Sequence, residues 1–189
     1  MGESRAESHG GGFGFKDLTV ENYLKPDEVM EAFVTVEPDQ RVRPITPDEW
    51  TAEILKVCLV RAAPPEVREL FLVARGAMLY GYFFYPLYAL ATEQLLRLAE
   101  TGVSIKCKEL GAQDSARTFR SKIEWLKSQG IISQEEAGAW HALRGLRNSA
   151  SHPRYQMLLP PGPALTMLQR VAANVSKLFE QPSTPTGAA

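Results

Sequence analysis

The segment Arg147-Asn148-Ser149-Ala150-Ser151-His152 holds the side chains of this sequence that are best suited to chemistry. A histidine titrates near neutral pH and can move a proton to or from a ribose hydroxyl. An arginine binds a phosphate through two parallel donors and stabilises the charge that builds during transfer. Asn148 and Ser151 add neutral hydrogen-bonding groups. These groups would suffice for metal-free RNA cleavage, in which the 2′-hydroxyl attacks the adjacent phosphate.

The spacing within this segment sets a geometric condition. A step of five residues along a helix turns through about 140°, so Arg147 and His152 do not share one helix face. They converge only if the helix ends at His152 or if a second copy of the chain supplies one of the two groups. A cation near the end of a helix also interacts favourably with the helix dipole, and that alternative implies no chemistry.

Charge is unevenly distributed along the chain. The formal net charge is −1, which argues against a polycation that coats nucleic acid. The stretch from Ala137 to Phe179 nevertheless contains no Asp or Glu, and it carries five positive side chains: Arg144, Arg147, Arg154, Arg170 and Lys177. A partner that bears phosphate would prefer this third of the chain. The alternative is that the acidic residues are simply concentrated earlier.

Cysteine and histidine usage predicts neither a metal nor a cofactor. Cys58 and Cys107 lie far apart without a C-x-x-C pair, which argues against a disulfide framework and a cysteine zinc site. No carboxylate cluster accompanies the motif. His141 is predicted to lie inside a helix in a packing or surface role. Residues 1–17 are polar and glycine-rich rather than signal-like, so a cytoplasmic location is expected.

Capping signals and helical spacing of apolar residues predict six helices and no strand. The predicted ranges are 47 to about 61, 65–82, 87–101, a helix capped by Asp114 or Ser115 that ends at 129, 134 to about 151, and 164 to about 180. Gly102 and Gly130 are interpreted as helix stops, and Ser133 with Glu136 as a capping box.

These elements predict an all-α protein, an antiparallel up-and-down helical bundle with an irregular N-terminal extension. The predicted divisions are a flexible or irregular arm (1–45) with room for one short helix, an accessory helix (46–64), the bundle (65–181) and a disordered tail (182–189). The uncharged stretch from Gly76 to Thr92 is too short to span a membrane and fits a buried core helix or a subunit interface.

The run from Phe119 to Tyr155 resembles the HEPN superfamily of prokaryotic helical domains. Members of that superfamily pair a helix ending in L-x-x-x-G-I-I-S with a helix ending in Arg, a polar residue, a short spacer and His. Here Leu126 to Ser133 reads LKSQGIIS, and Arg147, Asn148 and His152 match the second pattern. The stretch from about Pro65 to Phe179 would correspond to the whole HEPN domain.

The resemblance implies a symmetric homodimer in which both copies of the motif face one cleft. It implies a metal-independent endoribonuclease in a toxin–antitoxin or other defence system, with an antitoxin or another protein as a further partner. Arg147, His152 and Asn148 would be catalytic. Arg144, Arg154, Ser151 and Tyr155 would contact RNA phosphates. One toxin branch carries Tyr two residues after the His, whereas Tyr155 comes three after His152.

Two other interpretations stay open. Some HEPN members bind RNA, a nucleotide or a partner protein without catalysis, and the modest net charge of this chain favours that alternative. A purely structural helical dimer is the third interpretation, in which Arg147 and Asn148 only satisfy carbonyl groups at a helix end.

Overall fold

The computed structural model describes residues 15–112, 116–150 and 158–180. Within them the chain is mostly helical, which confirms the all-α prediction. The helices are α1 Glu28–Glu31, α2 Pro47–Lys56, α3 Pro65–Tyr80, α4 Leu87–Glu109, α5 Phe119–Ser128, α6 Gln134–Ala150 and α7 Pro161–Glu180, and two strands are β1 Val34–Val36 and β2 Val42–Pro44.

Helix α4 forms the centre of the bundle because α3, α5, α6 and α7 all pack against it. It buries side chains around most of its circumference, as a helix does when neighbours surround it. Leu95, Leu98 and Val103 are inaccessible to solvent. The candidate site depends on this arrangement, since α4 provides the surface on which α6 is mounted.

Helix α4 continues through Gly102, where the sequence predicted a stop, and reaches Glu109. A Cβ atom at Gly102 would lie 3.5 Å from a Val175 methyl and 3.8 Å from the Phe179 ring. The glycine therefore lies where α4 and α7 approach closely. Its helix-ending tendency is overridden by this packing, and the predicted end at Thr101 is wrong.

The stretch from Gly76 to Thr92 is divided between two helices. Helix α3 ends at Tyr80 and α4 begins at Leu87. A Cβ atom at Gly81 would come within 2.8 Å of the buried Tyr88 ring, so the turn between the helices requires a glycine there. Across the described ranges, no helix has both the length and the apolar composition needed to cross a membrane.

The predicted start of α2 is confirmed, and its predicted end near Arg61 is wrong. Thr46 and Glu49 form the capping box. The pKa of Glu49 is lowered to about 2, mainly because the Arg43 guanidinium donates hydrogen bonds to its carboxylate. Hydrogen bonds from Thr46 add to this effect. The helix ends at Lys56, and Val57 adopts an extended backbone while its side chain is buried.

Residues 28–44 contain a short hairpin that the sequence analysis did not predict. Strand β1 pairs antiparallel with β2, and Gln40 adopts a positive φ of 66° in the connecting turn. Both strands have only three residues with alternating burial, which is too short to give a clear period-2 signal. The preceding segment is tied to the bundle, because the Asp27 carboxylate accepts a hydrogen bond from the Tyr85 backbone N–H.

The region that leads into the candidate site follows the predicted signals closely. Gly130 ends α5 with a φ of 69°, and Ser133 and Glu136 form the predicted reciprocal capping bonds. Thr118 caps α5, whereas the predicted caps Asp114 and Ser115 lie outside the described residues. Helix α7 starts at Pro161 rather than Ala164, since proline is well tolerated in a first helical turn.

Candidate functional site

Helix α6 carries the first half of the predicted motif. Ala137, Trp140 and Leu143 form its buried stripe and fix its rotation on the bundle. Beyond this stripe, residues 145–149 of α6 are all exposed, and they include Arg147 and Asn148. Both side chains are therefore accessible to a ligand from solvent.

Arg147 is held by a carboxylate on the neighbouring helix α4. Its Nε donates a hydrogen bond to Glu100 Oε2 at 3.0 Å, and the two side chains are 45% and 32% exposed. Ion pairs this exposed contribute about 0–1 kcal/mol to stability. The pair therefore matters more for orienting the guanidinium than for folding. No sequence pattern predicts Glu100 as a site residue, because it lies 47 residues before its partner.

Arg144 lies one turn before Arg147 and is partly buried. Its Nε is fully shielded from solvent, and no hydrogen-bond acceptor reaches that atom among the described residues. A buried donor without an acceptor costs about 1–3 kcal/mol.

The second half of the predicted site lies outside the described residues. This applies to Ser151, His152, Arg154 and Tyr155. The structure thus places Arg144, Arg147 and Asn148 on consecutive turns of α6, and the convergence of Arg147 with His152 stays a prediction.

His141 belongs to a separate cluster between α5 and α6. Its Nε2 lies 2.7 Å from Glu124 Oε1, and Lys127 also pairs with that carboxylate. The hydrogen bond from Lys127 is the main reason that the pKa of Glu124 is lowered below its usual value, and the bond from His141 is the second. The cluster joins the two helices, which agrees with a packing role for His141. In residues 15–112, 116–150 and 158–180, no group of His, Cys, Asp and Glu side chains could hold a metal ion.

Comparison with known protein families gives a match over the C-terminal half of the chain. The sequence profile of a family described as "Domain of unknown function (DUF4145)" matches residues 92–184. The chain resembles that family over this range. The range begins within α4 and includes Glu100, Arg144 and Arg147, so the whole candidate site falls inside it. No curated protein and no solved structure matches the chain.

The family description assigns no activity and does not mention HEPN domains. The HEPN resemblance therefore stays a prediction, together with the roles that it implies for individual residues.

Proposed function

We propose that this chain is a HEPN-type, metal-independent endoribonuclease of a toxin–antitoxin or other defence system. The observation that carries the proposal is the placement of Arg147. It is exposed near the end of α6, oriented by Glu100, and followed five residues later by His152. An oriented guanidinium can bind the scissile phosphate and stabilise the charge that develops on it.

The proposed reaction uses a nucleophile that RNA itself supplies. The 2′-hydroxyl oxygen bonds to the adjacent phosphorus while the bond from phosphorus to the 5′-oxygen breaks. The products are a 2′,3′-cyclic phosphate and a 5′-hydroxyl. His152 acts as the acid or base that handles a transferred proton, and Asn148 orients the phosphate. Arg144, Arg154, Ser151 and Tyr155 make outer contacts with RNA.

A homodimer and a cytoplasmic location are parts of the same proposal. Because Arg147 and His152 are five residues apart, a second copy is one way to bring both groups to one phosphate. The absence of acidic residues between Ala137 and Phe179 supports an RNA partner, because phosphate is attracted to this part of the chain.

The test is RNA cleavage by the purified full chain in excess EDTA. We expect His152→Ala and Arg147→Ala to abolish cleavage, and we expect Arg97→Ala to retain it. Arg97 is a suitable control because it is an exposed arginine on α4 outside the candidate site. Circular dichroism and melting would verify that each variant folds. Wild-type cleavage that His152→Ala leaves unchanged would contradict the proposal.

A second candidate is a non-catalytic module that binds RNA, a nucleotide or a partner protein. The Arg147–Glu100 ion pair favours it, because a guanidinium that already faces a carboxylate interacts less strongly with a phosphate. Retention of RNA in EDTA without any cleavage would support this second candidate. The same result would exclude the ribonuclease.

A further inference from the structure

Helices α6 and α7 enclose a cleft on the surface of the bundle. Both helices pack on α4, but they make little contact with each other. The gap between them has a volume of about 650 Å³. Pockets that bind small molecules usually measure about 300–1,000 Å³. The cleft is therefore large enough for a small ligand.

The walls of the cleft are mostly apolar. Ala139, Ala142 and Leu146 line it from α6, and Met167 and Val171 line it from α7. The α6 wall is shallow because alanines occupy two of these positions, and Leu146 remains 37% exposed. Among the described residues no other segment covers this apolar surface, so its contact with an apolar group that displaces water is favourable.

One edge of the cleft is polar, and Arg170 is the charged residue among the described residues that line it. Thr166, Arg170 and Asn174 follow one another at intervals of four residues along α7, which aligns them on one helix face. No hydrogen bond or ion pair joins the Arg170 side chain to another residue in the described ranges. None of the described residues that line the cleft is acidic. Its charge complement is therefore an anion.

We propose that this cleft binds a small amphipathic anion. The apolar body of the ligand lies between α6 and α7, and its acidic group pairs with Arg170 while Thr166 and Asn174 supply hydrogen bonds. Long-chain carboxylates and aromatic sulfonates have this chemistry. The apolar walls do not suit the charged backbone of RNA, so the proposal does not depend on ribonuclease activity.

The test uses two fluorescent probes with similar aromatic bodies and the full chain. One is the anionic 1-anilinonaphthalene-8-sulfonate, and the other is the neutral N-phenyl-1-naphthylamine. We expect Arg170→Gln to weaken binding of the anionic probe about tenfold or more, since a hydrogen bond to a charged group is lost. Binding of the neutral probe should change little. The matched control Arg97→Gln should affect neither probe.

Filling the cleft should remove both probes. Ala142→Phe and Ala139→Phe each place a ring in the space at an exposed position of α6, where the fold tolerates it.

Saturated carboxylates should displace the anionic probe. Their affinity should rise roughly fourfold per added methylene, as expected when each methylene is buried, until the cleft is full.

Four results would overturn the proposal. The first is the absence of saturable probe binding by the wild-type chain. The second is probe binding that neither filling variant reduces. The third is an equal effect of Arg170→Gln and Arg97→Gln on the anionic probe. The fourth is a dimer that the filling variants dissociate, which would instead make the cleft an interface between copies. RNA cleavage, measured on the same preparations, is expected to be unchanged in every variant that does not dissociate a dimer.

Discussion

At the scale of single residues, the candidate site depends on how Glu100 affects Arg147. The carboxylate fixes the guanidinium at 3.0 Å and also neutralises part of its charge. These two effects have opposite consequences for a phosphate ligand, because orientation favours binding and charge compensation opposes it. A substitution that keeps the shape of Glu100 and removes its charge separates the effect of orientation from the effect of charge compensation.

We predict that Glu100→Gln strengthens RNA binding by about 1.4- to fivefold at low salt. The estimate corresponds to the 0.2–1 kcal/mol typical of an exposed ion pair, which the phosphate no longer has to overcome. Fluorescence anisotropy with a short labelled RNA would measure the effect, in a His152→Ala background that prevents cleavage. The free energy of unfolding should change by less than about 1 kcal/mol.

Glu93→Gln is the matched control for this prediction. Glu93 is an exposed acid on the same helix, and it should have little influence on RNA binding. Unchanged or weaker binding by the Glu100→Gln variant would mean that the carboxylate does not compete with phosphate for Arg147.

At the scale of elements, the turn between α5 and α6 orients the helix that carries the site. Gly130 adopts a φ of 69° there, a region that L-residues with a side chain enter at a cost. Gly138 lies at an exposed position in the second turn of α6, and a Cβ atom there would have nothing within 4 Å. Substitution by alanine is therefore expected to change the free energy of unfolding in opposite directions at these two glycines.

We predict that Gly130→Ala lowers the free energy of unfolding by about 1–2 kcal/mol. Gly138→Ala should raise it by roughly 0.5–1 kcal/mol, because alanine restricts the unfolded chain and favours the helix. Urea denaturation of both variants would measure these changes. A stabilising effect of Gly130→Ala would show that the residue does not hold a left-handed conformation.

The sequence predicted elements well where the signal was local. The capping residues Thr46 and Ser133 and the stop at Gly130 depend on bonds within a few residues, and all three were predicted. Prediction failed at Gly102, because distant residues of α7 determine the environment of that glycine. The three-residue strands were missed because their alternation is too short to recognise.

At the scale of the whole molecule, the arrangement around α4 determines which groups meet. Arg147 and His152 were identified from their types and spacing, but no sequence pattern connects Arg147 with Glu100. The cleft between α6 and α7 was also not predictable, because it reflects how two helices pack on a third. Residues distant in the sequence are brought together only by the fold.

The proposed dimer gives a prediction about mixed variants. If each active site takes Arg147 from one copy and His152 from the other, mixing inactive Arg147→Ala and His152→Ala chains should restore cleavage. Random exchange would recover about a quarter of the wild-type rate, since half of the dimers are mixed and each has one intact site. Continued inactivity after verified subunit exchange would contradict a shared site.

The central claim is that the end of α6 promotes attack by the RNA's own 2′-hydroxyl without a metal ion. The most direct measurement is mass spectrometry of the ends formed from a short RNA and from its fully 2′-O-methylated counterpart, both in EDTA. We predict a 2′,3′-cyclic phosphate and a 5′-hydroxyl from the first RNA, and no cleavage of the second. Cleavage of the methylated strand, or cleavage only after a divalent metal is added, would contradict it.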